Sequence, residues 1–399
     1  MRKKLYGNAK RNTERVTAAF LWFFRQESAG GMLLLGCAVL AILIANSALG
    51  TTYEHVLHEP IALGYGTWIL SMSLLHWIND GLMAVFFLVV GMEIKREFLF
   101  GELKSPSAMI LPIAAAMGGM LVPAVLYSVC NIGRASLSGW GVPMATDIAF
   151  SLGVLAFAAP KAPRSIVVFL TALAIVDDLG GILVIALFYS NELQVTALLA
   201  GAGIVVALGV ASRLRIQVTA LYLLGGICLW YAFLQGGIHP TIAGVLLGFM
   251  IPAGTAKTHH SSLLAQWEHL LTPWSAFLVM PVFALGNAGI MLDTGSIMQT
   301  VASPVGLGVA AGLFLGKPLG IFGTVYGLVR LKIADMPKGV RLSHFLGAGM
   351  LGGIGFTMSL FIASLAFANE QDLTMAKMAI VMASVLSGLA GALVFKRIR

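Results

Sequence analysis

Apolar windows of about 20 residues recur from end to end of this chain, and they constrain its fold more than any other feature. A window of that length crosses the roughly 30 Å hydrocarbon core of a bilayer as one α-helix, because lipid offers no partner for an open backbone amide. Twelve such windows are legible, centred near residues 38, 86, 117, 148, 177, 202, 224, 244, 278, 315, 355 and 385. Of the 399 residues, 58% are hydrophobic and only 11% are charged, against about 25% charged in a typical soluble chain. So little polar surface cannot cover a water-soluble globule. The expected fold is an all-α polytopic membrane protein with about twelve transmembrane helices and no soluble domain.

The basic residues orient those helices. A formal charge of +8 invites a nucleic-acid reading, but its placement argues against one. Segment 1–29 carries seven Lys or Arg, connection 48–76 carries none, and 95–104 carries Lys95, Arg96 and Lys104. The alternation continues, with Arg134 alone in 131–140, to Lys396, Arg397 and Arg399 at the end. Basic connections stay in the cytoplasm. Both termini are therefore expected there, with 1–29 a cytoplasmic segment and 30–399 a single transmembrane domain. The partner this charge implies is the lipid bilayer, not nucleic acid. The first apolar run is long for a signal peptide and reads as an uncleaved helix. Cys37, Cys130 and Cys228 are odd in number and lack metal-ligand spacing, so buried thiols are expected. Within 48–76, "TTYEHVLHEPIALGYG" has β-branched and aromatic residues around His58-Glu59-Pro60 and reads as a small extracytoplasmic hairpin.

Two crossings look broken. The fourth has Gly141 and Pro143 ahead of a polar "ATD" at mid-depth, and the eleventh has glycines at 347, 349, 352, 353 and 355. Glycine and proline weaken a helix interior, and unwound backbone survives at that depth only inside protein or beside a wet cavity. "TDIAFSLGVLAF" also aligns with "GFTMSLFIASLAF". Crossings 3–5 (about 105–190) and 10–12 (about 303–396) then form two three-helix repeats of inverted topology, each with its broken helix second. Paired broken segments are the sequence pointer to a transporter's binding site.

Few ionisable residues fall at mid-membrane: Asp147 in crossing 4, Asp177 and Asp178 in crossing 5, and Lys317 in crossing 10. A carboxylate at that depth costs roughly 2.5–3.5 kcal/mol on insertion scales. Asp177 and Asp178 are about 100° apart around a helix axis, so one is expected to face a partner helix and the other a cavity. Two adjacent acids oppose each other's ionisation. Such a site is neutral with protons or charged with a bound cation, and its oxygen ligands suit hard ions such as Na⁺ or Li⁺. Asp147 and Lys317 are placed to neutralise the N-terminal and C-terminal ends of the half-helices, respectively. Asp80, at the start of crossing 2, reads as a structural acid at a helix N-terminus. His239 and His344 read, on the residues alone, as interfacial side chains with satisfied hydrogen bonds.

"VPMATDIAFSLGVLAF", "FLTALAIVDDLGGILVIALFY", "FLGKPLGIFG" and "GGIGFTMSLFIASLAF" resemble the signature segments of the NhaA family of Na⁺/H⁺ antiporters. So do "WINDGLMAVFFLVVGMEIKREF" and "WEHLLTPWSAFLVMPVFALGNAG", and the resemblance runs from about residue 20 to the C-terminus. It implies a multi-pass antiporter of the bacterial inner membrane, a secondary active transporter rather than an enzyme, with no cofactor. Its cargo would be Na⁺ or Li⁺ and H⁺, exchanged by alternating access. Asp177 and Asp178 would bind the cation and protons, with Thr146 and Asp147 at the crossed broken helices. Lys317 would pair with Asp177 or offset the helix dipoles. Two protons for one Na⁺ would make the exchange electrogenic. The resemblance also implies pH regulation by Glu93, Arg96, Glu97, Glu268 and His269, with His239 on the extracytoplasmic side, and a homodimer formed through a hairpin near 48–62. Thr272 departs from the pattern, since the family can carry histidine there.

Other classes fit less well. Intramembrane aspartyl proteases carry YD and GxGD segments, whereas the contexts here are "ATDI" and "IVDDLGG". A Na⁺-coupled symporter of an organic solute shares broken helices and a two-repeat plan. It would move Na⁺ only with its solute, without coupled proton movement. A cation channel would show far greater flux and no exchange stoichiometry.

Overall fold

The computed structural model describes residues 27–398 apart from 66–67, 102–105, 161, 191–192, 256–260, 293 and 338. The basic N-terminal segment therefore lies almost wholly outside the described residues, as do Lys104, Lys161, Lys257, Lys338 and Arg399. The described chain is helical except for one hairpin. Helix α1 (Glu27–Ala45) turns through 112° into α2 (Gly50–His58). Strands β1 (Pro60–Tyr65) and β2 (Trp68–Ser73) follow, antiparallel, with Pro60 opposite Ser73. Then come α3 (Leu74–Phe100), α4 (Pro106–Cys130), a 3-10 helix (Ala135–Met144), α5 (Ile148–Ala158) and α6 (Arg164–Phe188). The second half holds α7 (Val195–Arg213), α8 (Thr219–Gly236), α9 (Thr241–Met250), α10 (Leu263–Asn287) and α11 (Thr294–Ala302). It closes with α12 (Pro304–Arg330), α13 (Leu342–Gly352), α14 (Phe356–Ala366) and α15 (Glu370–Arg397).

Among the described residues, eight helices are long and apolar enough to cross a membrane, or eleven if each bent pair is one span. The window centred near 244 holds only the ten residues of α9. At 1.5 Å per residue that is about 15 Å, half the hydrocarbon thickness. Gly237, in the left-handed conformation, stops α8, and His239-Pro240 starts α9 directly, so the helical part of this window is shorter than the hydrocarbon core. The two breaks expected from glycine, proline and polar residues are present. The 3-10 helix and α5 meet at 44° around Ala145–Asp147, and α13 and α14 meet at 45° around Gly353–Gly355.

Helices α4 and α12 pack antiparallel. Gly308 of α12 faces Tyr127, Gly316 faces Pro123 and Gly320 faces Gly118, so one number rises as the other falls. The approach is so close that a Cβ on Gly320 would stand 2.1 Å from the Gly118 carbonyl oxygen. A π-turn, Gly312–Gly316, immediately precedes Lys317 in α12. Such turns re-aim the residues that follow and are frequent at functional sites.

Three expectations are corrected. Residues 50–58, read as part of a hairpin near 48–62, are helical, and the hairpin is 60–73. Tyr53 and Leu57 lie four apart and both turn inward, Leu57 buried and the Tyr53 hydroxyl donating to the Leu285 carbonyl. That i,i+4 anchoring outweighs the β-branched composition. Asp80 does not start its helix: α3 begins at Leu74 behind a Ser73 cap, and Asp80 lies inside the π-turn Trp77–Leu82, buried. Cys130 and Cys228 lie on the outer surface and Cys37 is half-exposed, rather than buried. Lipid solvates a small apolar side chain as well as a core does, so nothing drives these thiols inward.

Candidate functional site

Asp177 and Asp178 occupy the middle of α6, and both are buried. Their roles divide as the 100° step requires. Lys317 Nζ donates to Asp177 Oδ2, and both side chains are fully buried. The same ammonium donates to Thr146 Oγ1 at 2.8 Å, and that hydroxyl donates to the Gly352 carbonyl at 2.9 Å. One hydrogen-bonded chain thus joins α6, α12 and both broken helices. Lys317 donates to neither oxygen of Asp178. Asp177 Oδ1 and Asp178 Oδ1 are buried and have no hydrogen-bond partner among the described residues. A buried carboxylate oxygen without a donor is costly. A proton or a hard cation removes that cost, and oxygen ligands on Asp177 and Asp178 fit Na⁺ or Li⁺.

Asp147 serves the starts of two helices. Its Oδ1 accepts from Phe150 N at 3.1 Å, capping α5. Its Oδ2 accepts from Thr357 N at 3.1 Å and from the Thr357 hydroxyl, at the start of α14. Its own amide donates to the Ile354 carbonyl at 2.7 Å, holding the two breaks together. An acid is favoured where two positive helix ends converge. The C-terminal ends are handled differently from expectation. Lys317 does not touch them; hydroxyls do. Thr146 reaches Gly352, Ser151 Oγ donates to the Leu351 carbonyl at 2.8 Å, and Ser359 Oγ donates to the Val142 carbonyl at 2.8 Å. The last two are reciprocal, each serine one turn into its half-helix serving the other's partner. Thr357, Ser151 and Ser359 were missed in the sequence, although the two serines fall at matching places in the aligned segments.

A second cluster forms near the other end of α3. Arg96 lies 2.9 Å from Glu97 and 3.8 Å from Glu93, and its other terminal nitrogen bonds Glu268 at the start of α10. The structure brings these four together. His269 is exposed and makes none of these contacts, and Thr272 is exposed as well. His239 stands apart from both groups, with Nδ1 3.8 Å from Asp80 Oδ1 and 3.4 Å from Thr241 Oγ1. His344 is buried at the start of α13 and takes the Arg341 amide at 2.9 Å.

The family model described as Na⁺/H⁺ antiporter 1 matches residues 22–395. The chain is similar to Na⁺/H⁺ antiporter NhaA 1 of Clostridium beijerinckii, 53% identical over 386 residues that cover 96% of each chain. It is similar to Na⁺/H⁺ antiporter NhaA of Vibrio cholerae, 48% identical over 372 residues, covering 92% of this chain and 95% of the relative. NhaA of Vibrio campbellii is likewise 48% identical over 373 residues.

Proposed function

The chain belongs to the Na⁺/H⁺ antiporter 1 family, and on that premise we propose that it exports Na⁺ or Li⁺ across a cell inner membrane in exchange for protons. The observation that carries this reading is the buried Asp177–Lys317 pair beside Asp178, with two carboxylate oxygens lacking donors. In one orientation the acids hold protons; in the other the protons leave and the cation takes their place. An ammonium already spent on Asp177 leaves Asp178 as the freer ligand. If one cation displaces two protons, the exchange moves net charge and the membrane potential drives it.

Twelve crossings with both termini cytoplasmic, two inverted repeats at about 105–190 and 303–396, and alternating access belong to the same proposal. The antiparallel run of α4 against α12 and the reciprocal serines at the two breaks support the inverted plan. Regulation by pH through Glu93, Arg96, Glu97 and Glu268 is supported by their convergence across α3 and α10. His239 belongs to that proposal through its approach to Asp80. His269 enters it only through its place beside Glu268. A homodimer formed through the hairpin is proposed with its strands at 60–73.

Proteoliposomes holding the purified chain test the reading. Proton movement should require added Na⁺ or Li⁺ and should be accompanied by charge movement. Proton flux indifferent to both cations would overturn it.

A further inference from the structure

Lys95 is adjacent to Arg96, yet it serves a different helix. Arg96 reaches α10, whereas Lys95 Nζ donates to the Phe249 carbonyl at 2.8 Å and to the Ile251 carbonyl, the end of α9. Helix α9 is only about 15 Å long, and its last carbonyls, which have no intrahelical partner, end against α3. The half-buried ammonium is their cap, at the negative end of the helix dipole.

The rest of α9 is fused to α3. Gly244 packs against Ala84, Gly91 against Val245 and Gly248 against Gly91, so the two helices run parallel in close backbone contact. A Cβ on Gly244 would stand 2.1 Å from the Ala84 carbonyl oxygen. Near its start, His239 approaches Asp80 of α3. Lys95 of α3 thus secures the end of α9, while Asp80 of α3 lies 3.8 Å from His239 just before its start.

What α9 covers gives this clamp its meaning. Phe87 of α3 and Thr241, Ile242 and Val245 of α9 enclose a small apolar space with Ile182 and Ile185 of α6. Ile182 and Ile185 lie four and seven residues after Asp178, on the same face of α6. The α3–α9 pair therefore packs over this face of α6 one to two turns beyond Asp178. We propose that Lys95 is a positioning residue of the ion site: by tying the end of α9 to α3, it fixes the wall over the Asp178 face of α6. This rests on the assignment of Asp178 as a cation ligand.

The test uses full-length Lys95→Met, Lys95→Arg and wild type in proteoliposomes, with initial rates measured across Na⁺ concentrations. Amide hydrogen exchange over residues 246–254 is followed in the same samples. Lys95→Met should raise the Na⁺ KM about five- to tenfold, with a smaller change in turnover, as expected for loss of charge-assisted hydrogen bonds. It should also speed exchange at the end of α9. Lys95→Arg should restore both. Wild-type KM in Lys95→Met overturns the proposal, whether or not α9 loosens, and so does an equal loss in Lys95→Arg. If Lys95→Met does not insert, Lys95→Gln carries the same readouts. Wild type that moves no protons with Na⁺ would refute the transport reading instead, while the exchange measurement would still report on the clamp.

Discussion

At the scale of single residues, the two neighbouring acids have unequal surroundings. Asp177 is bound to Lys317, and Asp178 is not. Neutralising Asp178 should abolish cation binding without breaking any ion pair. In everted membrane vesicles, Asp178→Asn is expected to lose Na⁺-driven collapse of the pH gradient; a persistent signal would remove Asp178 from the cation site. Lys317 makes a separate prediction. Breaking a buried pair from one side leaves an uncompensated charge, at a cost of about 3–5 kcal/mol. Lys317→Met should therefore lower the thermal midpoint of the purified protein sharply. The double variant Lys317→Met, Asp177→Asn should regain most of that loss, because neither charge is left alone.

At the scale of elements, the breaks at 145–147 and 353–355 depend on Asp147. Asp147→Ala removes acceptors from α5 and α14 together, at about 1 kcal/mol per lost cap, and Asp147→Asn should recover part of it. Thermal melts of the two variants check this. Glycine substitutions divide by what a methyl would meet. Gly244→Ala drives a carbon into the Ala84 carbonyl and should destabilise the α3–α9 pair, whereas nothing stands within 4 Å of a Cβ on Gly153. Gly153→Ala should be neutral or stabilise by up to about 1 kcal/mol. The same elements explain what could be read beforehand. Acids, a lysine and runs of glycine are conspicuous in an apolar sequence, so the site and both breaks were legible. Lys95 was legible only as a loop charge, because its partners are main-chain carbonyls that any residue carries. The β-branched residues of α2 read as strand, and only the i,i+4 spacing of Tyr53 and Leu57 points to the helix. The shortness of α9 was hidden because apolar composition continues through the turn that ends it.

At the scale of the whole molecule, lipid-facing helices surround a polar junction made from four segments distant in sequence. Exchange that moves net charge should quicken when an inside-negative potential is imposed on proteoliposomes; an unchanged rate would mean that equal charge crosses each way. Deleting strands 60–73 should shift the detergent-solubilised protein from dimer to monomer on native electrophoresis if the hairpin joins two copies. Asp147 reaches furthest at this scale. One carboxyl group accepts from the beginnings of two helices and so ties both to a single point. If the chain alternates access as proposed, a tilt of one arm strains the other through that shared anchor.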